Sequence, residues 1–264
     1  MKVAVAQVSS GPDVEANLRT VSEWTVRSAE QGADVVVFPE AMVSWFALPP
    51  HDAVAVAERW VETVVELASD LDITVMTGMF TEVDEESDRV RNTLLVTDGT
   101  ASSVYHKRHA YDALGYQESL TVDPGDELLV TPVAGVPAGF AICYDLRFPE
   151  HVKQLAWAGA QVIYVVASWG DGPGKADMWR TLVRARAMDS TCFVVACDQA
   201  VPEPWPAGVD RATPLGVGGS MVVGPLGEVL AEARTGPELL VVDLDLGLVD
   251  KARASMPVLA NSRR

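Results

Sequence analysis

Cysteine is scarce: the 264 residues hold three, alongside four histidines. A low and odd count argues against a disulfide framework. His51, His106, His109 and His151 form no H-x-x-x-H or H-E-x-x-H pair, and no C-x-x-C occurs, so the sequence carries no metal-ligand pattern. Glycine-rich nucleotide signatures are missing too, and no cofactor is implied. Basic residues are outnumbered, 20 Lys plus Arg against 37 Asp plus Glu, for a formal net charge of −17. Such a surface repels phosphate backbones and anionic bilayers, which excludes nucleic acid and membranes as expected partners. No apolar run approaches the roughly 18 residues that cross a bilayer. The N-terminal residues lack the long apolar stretch of a signal peptide and read directly as a strand, so a cytoplasmic protein is expected. What is present is ordinary globular composition, 48% apolar and 22% charged, in a length that suits one α/β domain over residues 1–264.

The chain alternates in period. Lys2–Val8 reads as a strand, and Val14, Leu18, Val21 and Ala29 share a helical face that Gly32 ends. Val35–Phe38 is a continuous apolar run, as in a strand covered on both faces. A stripe from Val54 to Leu71 predicts a second helix. Ile73–Phe80, Asn92–Thr97 and Ala101–Tyr105 read as strands, the last two joined by a turn at Asp98-Gly99. The order then recurs: strand Gly139–Ile142, helix Pro149–Ala158, strand Val162–Val166, helix Lys175–Met188, strand Cys192–Ala196 and the hairpin Ser220–Ala233. Gly32-Ala33-Asp34-Val35 has its counterpart in Gly159-Ala160-Gln161-Val162. Two copies of β-α-β-α-β-β are therefore expected. Two copies cannot stack as a solenoid. They bury all their apolar faces by placing two sheets face to face with helices outside, a four-layer αββα sandwich. Asp84-Glu85-Glu86 reads as a solvated acidic loop.

Ligands of βαβ architectures sit beyond the carboxyl ends of the parallel strands. Glu40 follows one such strand, Lys107 another, and Cys143 a third. A carboxylate, an amine and a thiol at strand ends supply a base, a cation and a nucleophile, the parts needed for acyl transfer. Taken singly, each has a structural reading as helix cap, solvated lysine or core thiol; their sequence surroundings decide otherwise. Glu40 lies in V-V-V-F-P-E, Lys107 in Y-H-K-R-H, and Cys143 in F-A-I-C-Y-D-L-R-F-P-E.

These motifs resemble those of the carbon–nitrogen hydrolase (nitrilase) superfamily, and the match in type and order runs from Val3 to Arg264. The resemblance implies a catalytic Glu40, Lys107 and Cys143, and a second carboxylate at Glu118, in Y-Q-E-S-L-T-V-D-P-G. It implies the αββα fold independently, and a homodimer or higher homo-oligomer whose C-terminal segment, here Met256–Arg264, commonly reaches across the interface. The H-K-R-H-A-Y-D…Q-E-S stretch is most similar to the branch holding omega-amidases and deaminated glutathione amidases. That branch hydrolyses small amides bearing a distant carboxylate. Arg108, Lys175, Arg180 and Arg211 are candidates for the cation such a substrate needs. The alternatives are an N-carbamoyl-amide hydrolase or nitrilase of the same family, which the same thiol, lysine and carboxylates would serve, or a non-catalytic binding subunit.

Chemistry assigns the remaining roles. The backbone N–H of Tyr144, at the turn after Cys143, is a second oxyanion donor beside Lys107. Ser168 and Trp169 follow the symmetry mate of the Glu40 strand and are expected to contact substrate, with Tyr111 and Asp112 on the rim. Asp145 and Arg147 are expected to form an ion pair that fixes the turn. Cys192 and Cys197 are expected in the core. A papain-like reading would need His151 as the base of Cys143, but its place within the following helix turns it away.

Overall fold

The computed structural model describes residues 1–84, 87–113 and 116–263. Glu85 and Glu86, of the acidic run, lie outside the described residues. The first sheet holds β1 (Lys2–Gln7), β2 (Val35–Val37), β3 (Thr74–Glu82), β4 (Val90–Thr97) and β5 (Ser102–His106). A small hairpin, β6 (Asp112–Ala113) and β7 (Tyr116–Gln117), stands apart. The second sheet holds β8 (Val130–Val133), β9 (Val136–Ile142), β10 (Val162–Ala167), β11 (Phe193–Asp198), β12 (Met221–Val223) and β13 (Val229–Glu232). The last strand, β14 (Glu238–Asp243), returns to the first sheet.

Strand orders are β14-β1-β2-β3-β4-β5 and β13-β12-β11-β10-β9-β8. In each sheet three parallel strands are flanked by antiparallel neighbours. The two copies read from the sequence thus have one topology. Within the two large sheets the unpredicted strands, β8 and β14, are equivalent too: each pairs antiparallel with the first strand of its copy. Pro132 interrupts β8, and β14 is only half-buried, so neither carries a clear strand signal.

The helices are α1 (Val14–Glu30), α2 (His51–Val54), α3 (Ala57–Leu71), α4 (Pro149–Trp157), α5 (Lys175–Ser190), α6 (Gly247–Ser255) and α7 (Val258–Asn261). Asp13 caps α1 by accepting from Glu15 N and Ala16 N, satisfying two N–H groups that a helix start leaves without partners. The repeated Gly-Ala pairs have one physical role. After α1 and after α4, Gly32 and Gly159 turn at φ 71° and 106°, and the following N–H bonds back to Ser28 O and Leu155 O. A positive φ at this point is what glycine provides at a helix end. The stripe from Val54 to Leu71 is two helices rather than one. The chain leaves helical geometry at Val56, with φ −111° and ψ 4°.

Three apolar cores follow from this layering. The middle one interdigitates Val3, Val5, Val35 and Val37 with Phe140, Ile142, Tyr164 and Val166 from the facing sheet. The outer two pack α1 and α3 on the first sheet, through Leu18, Trp60 and Val64, and α4 and α5 on the second, through Leu155, Trp179 and Val183. The result is the expected αββα sandwich, and the strands buried on both faces are the continuous apolar runs. Cys192 and Cys197 are buried and unpaired.

Candidate active site

The carboxyl ends of β2, β5, β9 and β10 converge on one cavity. Its lining includes Glu40, Lys107, Glu118, Cys143, Tyr144 and Trp169.

Glu40 leaves β2 through Pro39 and enters a tight turn, with Ala41 held at φ 56°. Its carboxylate is 1% exposed. Oε1 accepts from Lys107 Nζ at 3.0 Å and from Asn92 Nδ2 at 2.7 Å. Oε2 accepts from Ser168 N at 2.8 Å. The turn itself is pinned by Gln199 Nε2, which donates to Glu40 O at 2.9 Å.

Lys107 follows β5 and is equally buried. Its ammonium donates to Glu118 Oε1 at 2.9 Å as well as to Glu40. Glu118 is oriented in turn by Tyr111 N, which donates to its Oε2 at 2.6 Å, and by Asn92 Nδ2 at 3.3 Å. Burial opposes a charge on Lys107, but Glu118 and Glu40 outweigh it and hold the amine well above its usual pKa. The ammonium is therefore permanent at working pH. Burial, reinforced by the charge of Glu118, pushes Glu40 above the usual carboxylate range despite the opposing pull of Lys107.

Cys143 ends β9 at an elbow with φ 48°. A non-glycine residue in this region is strained by about 1–3 kcal/mol, and such strain collects at functional sites. Its Sγ lies 4.0 Å from Ser168 O. Burial and the neighbouring Glu40 push the thiol pKa well up. At rest it is a neutral thiol, and a thiol in that state can act as a nucleophile only where a base takes its proton.

The remaining expected residues divide. Tyr111 and Trp169 line the cavity, while Ser168 is not among its walls. Its backbone N–H holds Glu40 and its hydroxyl donates to Pro214 O at 2.6 Å. Of the four expected cations, Lys175 alone lines the cavity. Arg108 faces His151, Arg180 pairs with Glu232, and Arg211 covers the Trp205 ring. The Asp145–Arg147 ion pair is not formed. Asp145 turns inward to Tyr105, His109 and Ile142 N. Arg147 turns to the cavity, its guanidinium 5.1 Å from the Trp169 ring centroid and 5.8 Å from that of Tyr144. Its Nη2 also donates to Met178 Sδ at 2.7 Å; the aromatic faces take none of its N–H groups, so the rest of the fork can meet an anion. His151 has its nitrogens at Phe140 O and Arg108, which removes it as a base for Cys143. Asn92 and Arg147 are the residues that sequence reasoning missed. A buried polar side chain in an apolar strand was the one signal for Asn92.

This cavity is narrow, about 30 Å³, and opens past Phe46, Tyr111, Tyr116 and Lys175 into an outer compartment of about 300 Å³. Asp171, Asp210 and Thr213 border the outer part.

The carbon–nitrogen hydrolase family profile matches residues 2–254. The chain belongs to that family. A hydrolase of Mycobacterium tuberculosis is 46% identical over 99% of this chain and 95% of its own. The deaminated glutathione amidase of Escherichia coli O157:H7 is 32% identical over 100% of this chain and 97% of its own. Among solved structures, a variant of the amidase from Nesterenkonia sp. AN1, with acrylamide added at its active-site cysteine, superposes with a TM-score of 0.79. That likeness has 25% identity and covers 97% of this chain and 98% of the other. The protein is accordingly a carbon–nitrogen hydrolase acting on amides, and its αββα sandwich is the fold of the nitrilase superfamily. Among the described residues, no helix is long and apolar enough to cross a membrane.

Proposed function

We propose that this carbon–nitrogen hydrolase cleaves the primary amide of a small substrate bearing a remote carboxylate, with Cys143 as nucleophile. The observation that carries this reading is Lys107 Nζ held between Glu40 and Glu118, at 3.0 and 2.9 Å, on the cavity that Cys143 enters. Cys143 Sγ attacks the amide carbon as Glu40 takes the thiol proton. The oxyanion forms against the Lys107 ammonium and the Tyr144 N–H. Glu40 returns the proton to the nitrogen, the C–N bond breaks, and ammonia leaves a thioester on Cys143. Water then attacks the thioester carbon with Glu40 again as base. The acid departs and the thiol is restored. Glu118 orients Lys107 throughout.

Room for one small group beside Cys143 supports an unbranched amide head, and Arg147 with Lys175 supports a carboxylate further out. Residues 1–264 are read as one domain, because the middle core draws on both copies. Unpaired cysteines suit a reducing compartment such as the cytoplasm. Exposed Met178 and Met188 on α5 support a homodimer through that face. The terminal α7 packs against both α5 and α4, and its Leu259 O accepts from the indole of Trp157 on α4 at 3.3 Å.

The test is ammonia release from succinamate, glutaramate, deaminated glutathione, a neutral aliphatic amide, an N-carbamoyl amino acid and a nitrile. Turnover of the carboxylate-bearing amides, lost in Cys143→Ala, is the expected result. Activity surviving that substitution would remove Cys143 as nucleophile. Preference for the neutral amide, the carbamoyl compound or the nitrile would overturn the substrate class.

A further inference from the structure

Asp145 is fully buried two residues after the nucleophile, and each of its oxygens has two neighbours. Oδ2 accepts from the Tyr105 hydroxyl at 2.7 Å and from Ile142 N at 2.9 Å. Oδ1 accepts from His109 N at 3.0 Å and lies 2.6 Å from His109 Nδ1. Tyr105 and His109 are the residues two before and two after Lys107. Ile142 is the residue just before the strained Cys143. A single carboxylate therefore grips the lysine segment on both sides of Lys107 and the elbow at its entry.

We infer that Asp145 is a positioning residue that fixes the Lys107 ammonium relative to Cys143 by clamping Tyr105 and His109 to the elbow. This rests on the roles proposed above for Cys143 and Lys107. The chemistry of the cluster favours a clamp over the metal site that His109, Asp145 and His151 would suggest by proximity. Four contacts already occupy the carboxylate. His151 Nε2 donates to Phe140 O at 2.9 Å, and the Arg108 guanidinium sits 3.4 Å from its Nδ1, where a cation would be repelled. The clamp also holds its charge state. Burial works against ionising Asp145, but the hydrogen bond from His109, the nearby His151 and the bonds from Ile142 N and Tyr105 keep it below the usual carboxylate range. Burial and Asp145 together push the Tyr105 phenol well up, so it remains a donor. His109 is further fixed by stacking on Phe148, with ring centroids 3.7 Å apart.

Tyr105→Phe tests this with every charge left in place. Tyr164→Phe is the control, since the Tyr164 hydroxyl is buried without a partner and lies outside the site. Two readouts are compared. One is kcat and KM for ammonia release. The other is the pH midpoint of Cys143 alkylation by iodoacetamide, read by peptide mass spectrometry. The buried charges acting on Cys143 are Glu40, Lys107, Glu118 and Asp198, with Arg147 and Lys175 further along the same cavity wall; Lys107 is the one cation in that buried group, so an ammonium that drifts away moves the midpoint upward. Tyr105→Phe is expected to lower kcat about 10-fold, equivalent to about 1.4 kcal/mol, with KM changed less than about 2-fold. Its alkylation midpoint rises, and Tyr164→Phe matches wild type in both assays. Asp145→Asn lowers kcat further. A Tyr105→Phe protein with wild-type kcat and midpoint would overturn the inference. An equal shift in Tyr164→Phe would also overturn it, since the effect would then be general packing. A folded wild type silent on every amide would defeat the amidase reading instead, and the alkylation arm would still decide the clamp.

Discussion

Gly78 lies directly beneath the backbone of Glu40. A Cβ on Gly78 would fall 2.4 Å from Ala41 N and 2.7 Å from Glu40 Cα. The contact is two-way, because Gly78 N donates to Pro39 O and Gly78 O accepts from Met42 N. The central strand of the first sheet thus sets the height of the Glu40 turn, and only a residue without a side chain permits that approach.

Gly78→Ala is accordingly expected to force the Glu40 turn outward. Overpacking of a closed core costs about 1–3 kcal/mol, and differential scanning calorimetry would register the lower Tm. The activity loss should exceed what the stability loss accounts for, because a displacement of about 1 Å in a catalytic group costs about 100-fold. A variant that is destabilised yet turns over at the wild-type rate would show that Glu40 tolerates the shift.

Lys107→Met removes the cation that two buried carboxylates share. Leaving a buried charge without its partner costs about 3–5 kcal/mol. The sign with pH follows from which form is tolerated. Without Lys107 the pull that lowers Glu40 is gone while burial and the neighbouring Glu118 still raise it, so its folded-state pKa lies further above its unfolded value. The variant is then closest to wild-type stability at low pH and loses ground as pH rises through those values. Urea denaturation of both proteins from acidic to neutral pH measures the difference; a constant gap would refute the argument.

The pH profile of kcat/KM carries the same electrostatics. In the proposed mechanism, attack needs Glu40 ionised and Lys107 charged. Burial raises Glu40 above the usual carboxylate range, so the acid limb should sit higher than that of a free carboxylate, about 4.3. Lys107 is raised well above its usual value and Cys143 likewise, so the alkaline fall should come late. Glu40→Gln should abolish turnover rather than move the limb. An acid limb at the ordinary carboxylate value would contradict this placement of Glu40.

Arg147→Gln and Lys175→Gln test the carboxylate anchor separately. A hydrogen bond to a charged group contributes about 1.5–3 kcal/mol, so KM for a carboxylate-bearing amide should rise about 10- to 100-fold for whichever residue holds the anion. A neutral amide should be nearly unaffected. Equal losses on both substrates would assign these residues to packing against Trp169 and Tyr111 instead.

The sequence determined the layer architecture and the chemical inventory. Period-2 and period-3.6 patterns, helix-ending glycines and the doubling of the β-α-β-α-β-β order are local features, and local features are written in consecutive residues. The same holds for the motifs around Glu40, Lys107 and Cys143, each of which is a few residues long at a strand end. Tertiary structure decided what distant segments do to one another. Pairing of β14 with β1 joins residues at opposite ends of the chain, and an edge strand has no internal pattern to announce it. Asp145 and Arg147 make the point most directly. Opposite charges two apart read as a pair in the sequence, yet burial at the elbow gives Asp145 four contacts from Tyr105, His109 and Ile142, and leaves Arg147 to the aromatic wall and Met178. Asn92 is invisible for the same reason: its value lies in reaching Glu40 and Glu118 at once, across separations of 52 and 26 residues. Hydrogen-bond geometry between segments that far apart is fixed only when β2 and β4 have taken their places in the first sheet and the segment carrying Glu118 has packed over them.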